Sequence, residues 1–262
     1  MSTNGFTKLA PLFGLFAQGT PILMYHQLGR QPLDARFKGY HVRAAIFARQ
    51  LRELRRQGLH SVWPGETAVA GTAVSITFDD GYANVVAHGL RPLADNGFRA
   101  IQFIVAGEIG GWNRWDMRAG EIPARLMDAA QIRDWVAAGH AIGSHGLTHA
   151  RLTTLPIAAA REEIVASKKR LEDLLGAAVE HFCYPHGECN PEVAEWVREA
   201  GYRSACGTDF GVNPAGCDPF TLKRLYIRDR DRYRRHWWRK LRGMMGMHRS
   251  AQPDSPTALS QP

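Results

Sequence analysis

The chain predicts an α/β fold built on a parallel sheet, and three observations carry the prediction. Short apolar runs alternate with amphipathic stretches along most of its length, as in successive βα units. A glycine follows the last periodic turn of each helical stretch. The polar residues that could carry chemistry stand directly after apolar runs.

Taken in order, the strand candidates are Ile22–Tyr25, Val74–Phe78, Ala100–Val105, Ala141–Gly143, His181–Tyr184, Arg203–Cys206 and Thr221–Leu225. Helical patterns cover Ala44–Gln57, Ala83–Asn96, Ala130–Ala138, Ile157–Leu175 and Pro191–Ala200, stopped by Gly58, Gly97, Gly139, Gly176 and Gly201. His26, the pair Asp79–Asp80, His145 and Pro185-His186-Gly187 each follow a strand. Carboxyl ends of parallel strands are where such sheets and barrels build their sites. Residues far apart in the chain therefore converge on one rim.

At 262 residues the chain can bury a large core in one domain. Its formal charge of +8 is concentrated: residues 223–249 hold eleven Lys and Arg against Asp229 and Asp231. The basicity belongs to that tail and not to the site, and no nucleic-acid partner is expected. Four cysteines without C-x-x-C spacing argue against a cysteine metal site and for free thiols. No apolar run approaches the roughly 20 residues of a membrane span. Leu9–Ala17 is a short apolar stretch, expected as an N-terminal arm, with a weak signal-like reading of residues 1–19 as the alternative. Residues 20–228 form the main domain. Asp229–Met247 places Tyr233, Trp237, Leu241, Met244 and Met245 at helical spacing with basic residues on the other face. This predicts a basic amphipathic helix over 229–249 that either lies on an anionic membrane or packs on the domain. Residues 250–262 read as disordered.

One carboxylate and two imidazoles form a three-ligand set that leaves a divalent cation open positions for water and substrate. Thr77-Phe78-Asp79-Asp80-Gly81-Tyr82 and Ser144-His145-Gly146-Leu147-Thr148-His149 supply them, and the spare carboxylate stands where a general base is wanted. Either motif alone has a plain structural reading, as a helix cap or as two histidines on one helix face. Together at strand ends they point to a metal-assisted hydrolase, with zinc expected and cobalt or nickel as alternatives.

These motifs, with Leu23-Met24-Tyr25-His26 and Phe182-Cys183-Tyr184-Pro185-His186-Gly187, resemble the polysaccharide deacetylases with a NodB-homology domain, over roughly residues 20–230. The resemblance implies a distorted (β/α) barrel of about seven parallel strands. It implies Asp79 as catalytic base, Asp80, His145 and His149 as metal ligands, and the His186 backbone N–H as oxyanion donor. The early Tyr-His resembles the permuted poly-N-acetylglucosamine deacetylase branch, in which His26 would be the general acid. An arginine that braces the base in much of the family is replaced here by Cys183, and Arg224 could supply that charge from the last strand. Tyr82, Trp112, Trp115, Tyr184 and Pro185 are candidates for the substrate wall. The expectation is a bacterial N-deacetylase acting on an N-acetylglucosamine-containing exopolysaccharide or its lipid-linked precursor. It is expected in the cytoplasm or at the inner membrane rather than in the periplasm or medium. An O-acetyl esterase and a non-catalytic glycan-binding member of the fold are the alternatives.

Overall fold

The run Ile22–Tyr25 (β1) is buried at all four positions, so its backbone needs hydrogen-bonding partners on both edges. In the computed structural model, which describes residues 8–37, 39–66 and 68–229, it finds both. One edge pairs with Ala73–Phe78 and the other with Leu222–Tyr226. The chain's first strand thereby closes a sheet that would otherwise stay open between those two.

The remaining strands follow in chain order. Gln27–Leu28 (β2), His41–Val42 (β3), His60–Ser61 (β4), Ala73–Phe78 (β5) and Ile101–Ile104 (β6) come first. Ala141–Ser144 (β7), His181–Cys183 (β8), Ser204–Phe210 (β9) and Leu222–Tyr226 (β10) complete them. Around the barrel the order is β1-β10-β9-β8-β7-β6-β5 and back to β1, all parallel. This is the expected seven-stranded barrel. β4 extends the sheet beside β5, and β2 and β3 form a separate parallel pair.

Helices α1 (Phe13–Phe16), α2 (Ala44–Arg56), α3 (Asn84–Asn96), α4 (Arg114–Arg118), α5 (Ala129–Ala137), α6 (Ile157–Leu175) and α7 (Pro191–Glu199) fill the connections. α3 and α6 end on Gly97 and Gly176 in the left-handed conformation, which leaves their last carbonyls capped. Asp128 and Gln131 form a reciprocal capping box at the start of α5.

Ile22, Ile101, Phe103, Cys183, Cys206 and Leu222 pack together as one buried cluster. Its fit depends on Gly143, where a Cβ would stand 2.5 Å from the Phe103 ring. A second layer joins helices to barrel: Tyr25, Phe47, Phe78 and Trp135 pack ring to ring at 5.2–6.0 Å. In the N-terminal segment Leu9, Leu12, Leu15 and Phe16 are buried, and Leu9 N–H donates to Glu53 on α2.

The short elements β2, β3, β4 and α4 are absent from the sequence expectation. β9 runs on to Phe210 where the pattern stops at Cys206, because its outer half (Gly207-Thr208-Asp209) lacks an apolar run. Among the described residues no helix is long and apolar enough to cross a membrane, and Cys183, Cys189, Cys206 and Cys217 are all free thiols. The segment expected as a basic helix lies outside the described residues except Asp229, whose carboxylate pairs with Arg43 at 2.5 and 2.7 Å. The tail 250–262 also lies outside them.

Two buried histidines tie stability to pH. Burial, helped by Arg99, pushes His140 down to about 4, and burial with Arg203 and Lys168 does the same to His181. The Ala100 N–H points at Nδ1 of His140, and Nδ1 of His181 meets the Ser204 hydroxyl. Between about pH 6.5 and 4 the unfolded chain therefore binds protons that these native imidazoles refuse, so stability falls as pH drops. By pH 5 the loss should be on the order of 2 kcal/mol per histidine. Urea unfolding at pH 7, 6 and 5 should show this slope, and a His140→Gln/His181→Gln variant should flatten it.

Candidate metal centre and active site

The carboxyl ends of β1, β5, β7 and β8 carry His26, Asp79–Asp80, His145 and the turn to His186 onto one rim. Asp79 N–H donates to Tyr25 across the β1–β5 seam, and His145 N–H donates to Ile104 at the end of β6. Among the described residues, the non-glycine positions with positive φ are Asp80 (72°), His149 (64°) and His186 (61°). All three belong to this rim. A left-handed non-glycine residue costs about 1–3 kcal/mol and persists where its surroundings dictate it.

Asp80 Oδ1 lies 3.3 Å from His145 Nε2 and 3.4 Å from His149 Nε2. Those separations exceed the 2.7–2.9 Å of a charge-assisted hydrogen bond. They match the edge of a tetrahedron, about 3.3–3.4 Å, spanned by ligands about 2.0–2.1 Å from a common centre. The donor set therefore fits a divalent cation. Nδ1 of His145 contacts the Cys183 carbonyl at 2.7 Å, so it carries a proton and leaves Nε2 to face Asp80.

The loop between the two histidines is shaped by Glu163 of α6. Its carboxylate accepts the Leu147 and Thr148 amides at 2.8 and 2.9 Å and the Thr148 hydroxyl at 2.6 Å. The His149 ring lies between Trp115, stacked at 4.6 Å, and His186, edge-on at 4.5 Å.

Asp79 is held by Arg224, which comes from β10 and is 1% exposed. Nη1 reaches Oδ1 at 2.7 Å and Nη2 reaches Oδ2 at 2.8 Å, a two-pronged match of planar groups. The same guanidinium donates to the Gly207 carbonyl and the Thr77 hydroxyl, and Nη2 lies 3.1 Å from Cys183 Sγ. Asp79, His145 and Cys183 also lie close enough to form a ligand set. A guanidinium in contact with two of the three repels a cation there, so Asp80, His145 and His149 are the set better suited to one.

The charges follow from these contacts. Burial alone would raise the Asp79 carboxyl, but Arg224, by charge and hydrogen bond, carries it below the usual range. Burial opposes Asp80 too, and the His145 and His149 contacts hold it well below. Burial likewise works against charge on His145, yet Cys183 and Asp80 raise it, while His149 is held below its ordinary value by burial.

Half-buried His26 stacks on Tyr40 at 4.4 Å and lies 5.3 Å from Tyr226. Burial lowers it, with Asp80 and Asp79 pulling the other way. The exposed His186 side chain is pushed down to about 4 by burial of its ring face and by His149.

The residues expected at the substrate wall divide. Trp115 lies against His149, at the site. Trp112 instead sits beneath the Arg125 guanidinium at 4.2 Å. Tyr82 is fully buried and donates to Asp116 Oδ2 at 2.8 Å, so it braces the wall from within rather than facing ligand. Tyr184 is also buried, its hydroxyl donating to the Phe220 carbonyl, and Pro185 is buried beside it. Tyr40, Tyr226, Asp116 and Glu163 are site neighbours that the sequence expectation lacks. Tyr40 lies in no motif. Glu163 lies on the helical pattern Ile157–Leu175, which carries no site role in the sequence expectation.

Removing the guanidinium in Arg224→Met should cost about 3–5 kcal/mol, because Asp79 is left buried without a counter-charge. Denaturant unfolding should show part of that loss restored in Asp79→Asn/Arg224→Met. Glu163→Gln should weaken cation binding about 10–100-fold by freeing the loop between the ligands, measurable by competition with a chelating dye.

The polysaccharide deacetylase family matches residues 67–205, more than half of the chain, and that match omits β1 with His26 and β10 with Arg224. The Bacillus subtilis (strain 168) protein YxkH, provisionally named a polysaccharide deacetylase, is 24% identical over 215 residues, 79% of this chain and 71% of its own. Solved structures share the fold. The Streptococcus pyogenes deacetylase PplD, solved with acetate, has a TM-score of 0.69 at 20% identity, over 80% of this chain and 93% of PplD. IcaB from Ammonifex degensii has a TM-score of 0.68 at 24% identity, over 80% and 92%. A Bacillus cereus polysaccharide deacetylase has a TM-score of 0.68 at 23% identity; it is matched over 81% of this chain but only 66% of its own length. By the extent of the family match and the barrel it folds into, the chain belongs to the polysaccharide deacetylases.

Proposed function

We propose that the protein removes acetyl groups from N-acetylated amino sugars, using a divalent cation for which zinc is the expected choice. The substrate class is an N-acetylglucosamine-containing polysaccharide or its lipid-linked precursor. Family membership supports deacetylation. The observation that carries a hydrolase with its own acid and base is that His26, at the end of β1, feels the Asp79 and Asp80 charges while Asp79 is braced as a carboxylate by Arg224. Expelling the amine of an amide requires a proton at nitrogen, which that acid would give; an ester could use the same parts, and the early Tyr25-His26 favours the amide reading.

A cation held by Asp80, His145 and His149 supplies an activated water and Lewis-acid polarisation of the acetyl carbonyl. The chain's own groups do the rest. Asp79 takes the proton from the attacking water, and Arg224 keeps its carboxylate ionised and aimed. His26 gives a proton to the departing sugar nitrogen, a task suited to an imidazole near neutral pH. The His186 backbone N–H, in its left-handed turn, is the donor assigned to the oxyanion; a donor of this kind is worth about 2.7–4 kcal/mol.

Incubation with acetylated amino-sugar oligomers should release acetate and leave a new primary amine on the sugar, seen together by mass spectrometry and amine labelling. Acetate without amine would instead identify an esterase. Asp79→Asn should lower turnover about 10²–10⁴-fold while bound metal stays stoichiometric by elemental analysis. Retained turnover would remove Asp79 from the mechanism.

A further inference from the structure

Both imidazoles at the edge of the site rest on aromatic rings from long connections. His26 stacks on Tyr40, and His149 stacks on Trp115. Tyr40 stands at the end of the connection between β2 and β3, a strap described over residues 29–37 and 39–40. Trp115 lies on α4, within the excursion that leads from β6 to α5.

The excursion is internally tied. Asn113, fully buried, bonds Ile122 and Ala124 through its side chain, and Asp116 accepts the Tyr82 hydroxyl. It is a platform with its own bracing. The strap docks onto it at one carboxylate. Glu121, 8% exposed, accepts the Arg36 amide at 3.1 Å and the Phe37 amide through its other oxygen, and it also accepts the Ile122 amide. The Arg36 side chain adds a bond to the Ala119 carbonyl at 2.6 Å. The Tyr40 amide donates to the Phe37 carbonyl at 3.4 Å, and the Tyr40 carbonyl accepts the amide of Gln27, next in sequence to His26.

We propose that Glu121 is a positioning residue for the general acid. By clasping the strap to the braced excursion, it holds Tyr40 flat against His26 and so fixes that imidazole relative to the metal-ligand set. The carboxylate suits the task because its two oxygens engage consecutive strap amides, which sets both the height and the direction of the strap. The proposal rests on the reading of His26 as the acid. Glu121 touches neither substrate nor cation; it acts through Tyr40.

The test compares two leaving groups in the full chain loaded with zinc. One substrate is an N-acetylglucosamine oligomer, whose amine needs a proton to leave. The other is 4-nitrophenyl acetate, whose phenolate does not. Glu121→Ala should lower kcat on the oligomer about 10²-fold, the scale of a misplaced catalytic group. Aryl ester turnover should stay within about threefold, and zinc stoichiometry should be unchanged. Glu121→Gln, which keeps one acceptor oxygen and is the milder change for folding, should fall between Glu121→Ala and the parent. Tyr40→Phe should retain the oligomer activity that Tyr40→Ala loses, because the ring and not the hydroxyl makes the stack.

An equal loss on both substrates would mean a merely structural role and would overturn the proposal, as would no loss on either. His26→Ala separates the two levels. If it spares the oligomer reaction, the acid assignment fails and the clasp loses its purpose. If it shows the amide-selective loss while Glu121→Ala behaves like the parent, the clasp alone is refuted.

Discussion

Two carboxylates in consecutive positions, both taken out of water, cannot remain ionised side by side unless each has its own positive partner. Asp79 and Asp80 meet that constraint by pointing in different directions. The left-handed backbone at Asp80 (φ 72°) turns its carboxylate toward the two imidazoles, while Asp79 stays on the barrel side and meets Arg224. Two neighbouring carboxylates can face different partners because the chain bends sharply between them. The glycine that follows, Gly81, is also at positive φ, and a Cβ there would press on Ile104 at 3.0 Å.

The barrel's closure serves the same chemistry. β1 sits between β5 and β10, so the strand that ends in Asp79 lies beside the strand that ends in His26, and Arg224 comes from the strand on β1's far side. A sheet left open at this seam would separate His26 from Asp79 and Asp79 from its Arg224 counter-charge. Registration across the seam, with Tyr25 opposite Phe78, brings His26 level with Asp79.

How much of this was legible follows from where each residue sits. β1, β5, β6 and β8 are buried at every position and every barrel strand holds a short apolar stretch, and the long helices stop at left-handed glycines, so simple periodicity locates them. Asp79, Asp80, His145 and His149 follow such runs, and their residue types alone suggest a cation. Arg224 is different. The sequence offers it, among eleven basic residues after position 222, only as a substitute for the family's missing arginine, and the fold shows it 1% exposed and bonded to Asp79. Tyr40 and Glu121 have no sequence signal at all, since the contact that matters joins two irregular segments far apart in the chain. Tyr82 and Tyr184 drew attention by lying inside motifs, yet their hydroxyls are spent on Asp116 and Phe220 in the interior. Motif membership marks a place near the chemistry, not the direction in which a side chain points.

Cys183 offers a last consequence. Its carbonyl receives the His145 imidazole while its sulfur lies against the Arg224 guanidinium. The space beside Asp79 is thus filled from two strands at once, a small side chain on β8 and a long one on β10. A bulky cation grafted onto position 183 would compete for the volume Arg224 occupies. Positions 183 and 224 should accordingly vary as a matched pair during divergence, one guanidinium between them, and a swap at either alone should be selected against until the other follows.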